Sequence, residues 1–139
     1  IRHDLCFQME SAFETTFIEI SNTNPQSMII GCLYKHPNFP TEKFMTDCLL
    51  KILSKIDREK KTVALMGDFN INLLNYETSY STSQFYDSMT SLNFQPLILQ
   101  PSRVTLRSRT LIDNIFTNDI QHSIISGNLT CTISDHFAQ

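Results

Sequence analysis

The sequence is short of charge. Its 139 residues hold 11 Lys and Arg against 14 Asp and Glu, with 18% of residues charged and a net charge of −3. No global basic field advertises a polyanionic partner, so any contact with nucleic acid has to be local or helped by a cation. No C-x-x-C pair occurs among Cys6, Cys32, Cys48 and Cys131, and each lies in an apolar or strand-like run. That pattern fits four reduced, buried thiols better than a disulfide framework, and an intracellular location is the expectation. A basic-then-apolar leader is missing, as is any apolar run near the ~20 residues of a membrane helix, so no membrane partner is expected. His3, His36 and His122 have no ligand-like spacing to one another or to a cysteine, which argues against zinc. There is no internal repeat, linker or low-complexity stretch, so residues 1–139 read as a single unit, and 41% hydrophobic residues are enough for a core.

What is present is a series of apolar runs that end in polar groups. Phe17-Ile18-Glu19-Ile20 alternates at strand period, and Ser21-Asn22-Thr23-Asn24-Pro25 is a turn cluster. Met28 to Tyr34 reads as a strand buried on both faces, followed by Lys35-His36-Pro37. Thr41 can cap a helix whose apolar side holds Phe44, Cys48, Leu49, Ile52 and Ile56. Val63-Ala64-Leu65-Met66 is the next strand, and Gly67-Asp68-Phe69-Asn70 follows it directly. Strand, crossover helix and strand imply a parallel right-handed unit, which puts Tyr34 and Asp68 at one edge of the sheet. Thr82-Ser83 can cap a second helix containing Phe85, Met89 and Leu92, and Pro96 to Leu99 is at best a short strand. The loop from Gln100 to Thr110 carries Arg103, Arg107 and Arg109. Leu111 to Thr117 reads as a strand with a carboxylate in its middle, and a hairpin is expected from Ser123-Ile124-Ile125 and Leu129 to Ile133 around Ser126-Gly127-Asn128. The last strand ends in Ser134-Asp135-His136.

Loops leaving strand ends are where α/β folds bind ligands, because the sheet holds loop side chains at fixed geometry. In extended chain Asp68 and Asn70 point to one side and Phe69 to the other, which suits orienting a water while holding a phosphate oxygen. Glycine, Asp and Asn also close turns for purely local reasons, so both readings stand at this point. Asp113 inside an apolar strand needs a partner unless it faces solvent, and His136 is the natural one, since a carboxylate fixes an imidazole tautomer. Oxygen ligands such as Asp68, Asp135 and Asn70 suit Mg²⁺ or Mn²⁺. Arg103, Arg107 and Arg109 could reach DNA phosphates, although loop arginines are usually just solvated.

Tyr34 with Pro37, Gly67-Asp68-Phe69-Asn70, Leu111-Ile112-Asp113-Asn114-Ile115 and Ser134-Asp135-His136 occur in the order and approximate spacing of the endonuclease/exonuclease/phosphatase superfamily. The wording of Met66 to Leu74 and of Thr110 to Asn118 most resembles the apurinic-type endonuclease domain of non-LTR retrotransposon polyproteins. The resemblance implies an α/β fold, part of a four-layered sandwich of two mainly antiparallel or mixed sheets flanked by helices and truncated at the N-terminus. It implies divalent-metal-dependent phosphodiester hydrolysis, nicking DNA for a reverse transcriptase on the same polyprotein, with action in the nucleus. It assigns Tyr34 to the scissile phosphate, Asp68 to the attacking water, Asn70 to a phosphate oxygen, Asp113 to orienting His136, His136 to transition-state charge, and Asp135 to Mg²⁺ or Mn²⁺.

The family's early asparagine and metal-binding glutamate have no counterpart here, and Ala138 stands where the family has proline. The expectation is therefore a fragment that exposes an apolar sheet face, binds metal poorly and is inactive by itself. Two alternatives are a non-catalytic relic or binding module of the same fold, and a superfamily phosphatase acting on another phosphoester.

Overall fold

A computed structural model describes residues 1–21, 27–130 and 134–139. Branched and aromatic residues at period two build its sheet: β1 (Gln8–Met9), β2 (Phe13–Ile20) and β3 (Met28–Lys35) form successive antiparallel neighbours. A continuous helical stretch follows, made of α1 (Thr41–Phe44), a wider π turn (Met45–Leu49) and α2 (Leu50–Glu59). It crosses over to β4 (Thr62–Asp68), which lies parallel to β3 as the crossover rule requires. After a tight turn (Leu73–Asn75) come α3 (Tyr80–Ser91), β5 (Gln95–Pro96), the short hairpin β6 (Arg103–Val104) and β7 (Arg109–Thr110), and β8 (Asp113–Thr117). The large mixed sheet has the order β1-β2-β3-β4-β8-β5, and β6-β7 is a separate two-stranded sheet. No helix of the described residues is long and apolar enough to cross a membrane.

The helices cover one face of the sheet. Phe17, Ile29, Leu33, Val63, Leu65 and Phe116 on that face pack with Phe44, Leu49, Ile52, Ile56, Phe85 and Met89 from the helices, all buried. Phe69, just past β4, joins Phe85 and Phe116 in a cluster with ring centroids 5.3–5.7 Å apart. Aromatic pairs at this spacing add to the transfer free energy of burial.

The opposite face is partly open. Register places Thr16, Ile18 and Ile20 of β2 beside Cys32, Ile30 and Met28 of β3, and these beside Met66, Ala64 and Thr62 of β4. Ile18 is 41% exposed and Cys32 is exposed, so β3 is covered on one face only, and the expectation of a strand buried on both faces fails. The apolar run reads as doubly buried because nothing in a single strand's composition tells which of its faces has a neighbour. Burial of all four thiols fails with it: Cys48 is buried, Cys6 partly so, Cys32 is exposed, and Cys131 lies outside the described residues.

Local details also differ. Thr41 is the first residue of α1 rather than its cap, with Pro40 in the cap position, where proline's fixed φ suits helix entry. Ser79, not Thr82 or Ser83, caps α3, its Oγ accepting from the Thr82 N–H at 3.4 Å. Residues 123–128 form no strand, so the first half of the expected hairpin is absent; residues 131–133 of its second half, like the expected turn at 22–25, lie outside the described residues. Instead, Ser126 Oγ donates to the Leu97 carbonyl at 2.7 Å and Asn128 Nδ2 to the Pro101 carbonyl at 2.8 Å. These bonds lay the segment along the open face, where Ile124 and Ile125 wall a cavity of about 620 Å³ with Ala64 and Ile115.

Candidate functional site

The polar groups gather where β4 ends. Gly67 has φ +148°, a region that L side chains avoid, and a Cβ there would collide with the Leu33 carbonyl. Glycine thus lets β4 approach β3 closely and turn out of the sheet. Asp68 is paired in register with Tyr34 on one side and Asp113 on the other, so three candidate residues from three strands share one sheet face. Tyr34 is 43% exposed beside Asp68.

Asn70 departs from the extended geometry expected of it. Its φ is +48°, its backbone N–H donates to Asp68 Oδ1 at 2.9 Å, and its Nδ2 donates to the Lys35 carbonyl at 2.7 Å. The turn reading and the site reading therefore coexist: the Asp68 carboxylate closes a turn through one oxygen, and that turn ties the site to the end of β3. Lys35 is fully buried beneath it, its Nζ donating to the His36 carbonyl at 3.2 Å, and burial lowers its pKa.

Asp113 is the first residue of β8, not a mid-strand position. A carboxylate there meets the loops beyond the sheet, and three donors reach its side chain or backbone. His136 Nδ1 lies 2.9 Å from Oδ2 and 3.1 Å from Oδ1, Ser102 Oγ donates to Oδ2 at 2.8 Å, and Gln139 Nε2 donates to the Asp113 carbonyl at 3.0 Å. Ser102 is fully buried, and its Oγ also accepts the N–H groups of Ile112 at 3.0 Å and Asp113 at 2.9 Å. Sequence reasoning missed Ser102; a serine two residues past Leu99-Gln100 carries no local signal, because its partner is 11 residues away in the chain.

Burial pushes the Asp68 carboxyl above its ordinary range and the neighbouring Asp113 charge adds to this, while the Asn70 N–H, His136 and Arg103 oppose it. Among the described residues Asp68, Asp113 and His136 each offer one ligand atom, all within 4.8 Å of one another. Two carboxylates and an imidazole are a donor set that fits a divalent ion taking oxygen and nitrogen ligands. Asp135 stands outside that group. Its Oδ2 accepts Arg103 Nε at 2.7 Å, and this bond holds its carboxyl below the usual range. Arg107 and Arg109 are exposed on the β6–β7 hairpin.

A family model described as endonuclease-reverse transcriptase matches residues 28–139. No curated protein matches the chain. Among solved structures, the endonuclease domain of TRAS1, a telomere-specific non-LTR retrotransposon, is 19% identical with a TM-score of 0.66, over 88% of this chain and 60% of that one. An endonuclease/exonuclease/phosphatase family protein from Leptotrichia buccalis is 19% identical with a TM-score of 0.59, over 89% of this chain and 50% of its own. Beta toxin from Staphylococcus aureus is 15% identical with a TM-score of 0.54, over 91% of this chain and 55% of its own. The chain thus spans about 50–60% of the length of these structures. The likeness to these structures is one of fold. With a family match over residues 28–139 and this architecture, the chain belongs to the endonuclease-reverse transcriptase family, on the endonuclease/exonuclease/phosphatase fold.

Proposed function

We propose that Asp68, Asp113 and His136 are the centre of a metal-assisted phosphodiester hydrolysis site that nicks one DNA strand and leaves a 3′ hydroxyl for a reverse transcriptase on the same polyprotein. The observation that carries this reading is the convergence of the three side chains within 4.8 Å from β4, β8 and the chain's last residues. Asp68 and Asp113 would hold Mg²⁺ or Mn²⁺, which would supply a lowered pKa for the attacking water and neutralise phosphate charge.

The chain's own groups divide the remaining work. Asp68 orients the water through the carboxylate oxygen that the Asn70 N–H does not take. Asp113, fixed by Ser102, holds His136 through Nδ1, which leaves Nε2 to donate to the charge developing on the pentacovalent phosphate. Asn70 spends one Nδ2 hydrogen on the Lys35 carbonyl, and its second is available to a phosphate oxygen. Tyr34, exposed beside Asp68, offers its hydroxyl to the scissile phosphate. In this reading the protein acts in the nucleus.

The test is relaxation of supercoiled plasmid in Mg²⁺ by the protein that contains this chain, with the new end read by primer extension. Asp68→Ala and His136→Ala are each expected to lower the nicking rate by at least about a hundredfold. Nicking that survives either change at the wild-type rate, or that leaves a 3′ phosphate, overturns the assignment.

A further inference from the structure

The three arginines of the 100–110 loop do not sit alike, and one of them is built into the site. Residues 102–104 and 135–137 run side by side: the Val104 N–H donates to the Asp135 carbonyl at 3.0 Å, the Phe137 N–H to the Ser102 carbonyl at 2.7 Å, and Arg103 is the direct antiparallel partner of His136. Directly opposed residues on adjacent strands project to the same face with neighbouring side chains. Arg103 therefore lies beside the imidazole that contacts Asp113, one residue from the serine that contacts the same carboxylate. Arg107 and Arg109 do not share this placement. Arg109 pairs with Val104, one residue out of step with Arg103, and so points to the opposite face of the hairpin, while Arg107 belongs to the turn closed by Thr105 and Ser108.

From this geometry we infer that Asp135 is a positioning residue, holding Arg103 as the guanidinium that binds a substrate phosphate next to Asp68, Asp113 and His136. The inference rests on the phosphodiester reading above and deepens it. Asp135 Oδ2 takes the inner nitrogen, Nε, at 2.7 Å. The two terminal nitrogens have no acceptor among the described residues, so the planar fork is anchored at its base with its outer donors free. A guanidinium held this way suits a phosphate oxygen pair, because donors fixed in one plane lose little freedom on binding. The charge of Arg103 also reaches Asp68, where it favours the ionised carboxylate. The same bond occupies one of the two carboxylate oxygens of Asp135, which is not part of the group of Asp68, Asp113 and His136.

The experiment uses the protein that contains this chain and two probes, a short DNA duplex followed by fluorescence anisotropy and Mn²⁺ followed by water-proton relaxation, with far-UV circular dichroism confirming that each variant is folded. Arg103→Ala is expected to weaken duplex binding about tenfold and to reduce its salt dependence by about one phosphate contact. Asp135→Ala should weaken the duplex about threefold or more when Arg103 is present and not at all in the Arg103→Ala background, because the effect passes through the arginine. Mn²⁺ affinity should stay within about twofold in both variants and fall in Asp68→Ala. Additive losses from Asp135→Ala and Arg103→Ala, a roughly tenfold loss of Mn²⁺ affinity in Asp135→Ala, or no duplex binding by the unaltered protein would each overturn the inference. Failure of the phosphodiester reading has its own signature, an unchanged Mn²⁺ affinity and nicking rate in Asp68→Ala.

Discussion

Replacing Ser102 by alanine removes one oxygen and three hydrogen bonds. The hydroxyl donates to Asp113 Oδ2 at 2.8 Å and accepts the N–H groups of Ile112 and Asp113 at 3.0 and 2.9 Å, in a position with no solvent access. A hydrogen bond to a charged acceptor contributes about 1.5–3 kcal/mol, and each buried donor left unsatisfied costs about 1–3 kcal/mol. These do not simply add, since a single atom serves all three and the pocket can relax, so a loss of about 3 kcal/mol is expected. With a urea dependence of about 2 kcal/mol per molar, that is a midpoint about 1.5 M lower in a denaturation curve. Hydrogen exchange gives the local readout: the Ile112 and Asp113 amides should lose protection well beyond the change at core amides such as Leu65. Ser102→Thr, which keeps the hydroxyl, should recover most of the midpoint. A loss below about 1 kcal/mol in Ser102→Ala, with both amides still protected, would show that Asp113 does not depend on this oxygen.

Other expectations concern the strand end, the acid range and the thiols. Gly67→Ala places a Cβ against the Leu33 carbonyl at φ +148°, and a destabilisation of about 3 kcal/mol or more is expected in the same denaturation assay; near-neutral behaviour would refute the close approach of β4 to β3. Asp68 has a folded-state pKa raised above 3.8 by burial, so its contribution to stability is complete below 3.8 and is lost as pH rises through the folded value. Asp68→Asn should therefore melt higher than wild type at neutral pH, with the gap closing in acid; a lower melting temperature at neutral pH would show that the carboxylate is stabilising where it sits. Cys48, buried with its thiol pushed up to about 12, should resist alkylation until the chain unfolds, whereas exposed Cys32 reacts in the native state. Peptide mapping after a short iodoacetamide pulse distinguishes them, and equal labelling of the two would contradict the one-sided cover of the sheet.

Periodicity made much of the architecture legible. The parallel β3–helix–β4 unit follows from two apolar runs of strand length separated by one amphipathic helix, and Phe44, Cys48, Leu49, Ile52 and Ile56 occupy the buried side that their spacing predicts. Because such a crossover joins parallel strands, the pattern also puts Tyr34 and Asp68 at one edge of the sheet, where register pairs them directly. A carboxylate read inside an apolar strand pointed either to a partner or to solvent, and His136 lies within hydrogen-bond distance of Asp113. These are properties of local pattern and of handedness, which a linear chain carries in full.

Contacts between distant segments are another matter. Nothing near Ser102 announces that it will bond Asp113, nothing near Asp135 that it will bond Arg103, 32 residues away. Nor does the run from Met28 to Tyr34 say that one of its faces is open, since composition reports apolar character but not the presence of a neighbour to cover it. Asn70 illustrates the divide within a single motif. The chain alone offers a turn or a site, and packing against the Lys35 carbonyl makes the turn the means by which the site is held. Local sequence thus chose the strands, the helices and the kinds of polar group at their ends. Which of those groups face one another depended on register and loop docking, where free energies come from pairs of residues that neither partner encodes by itself.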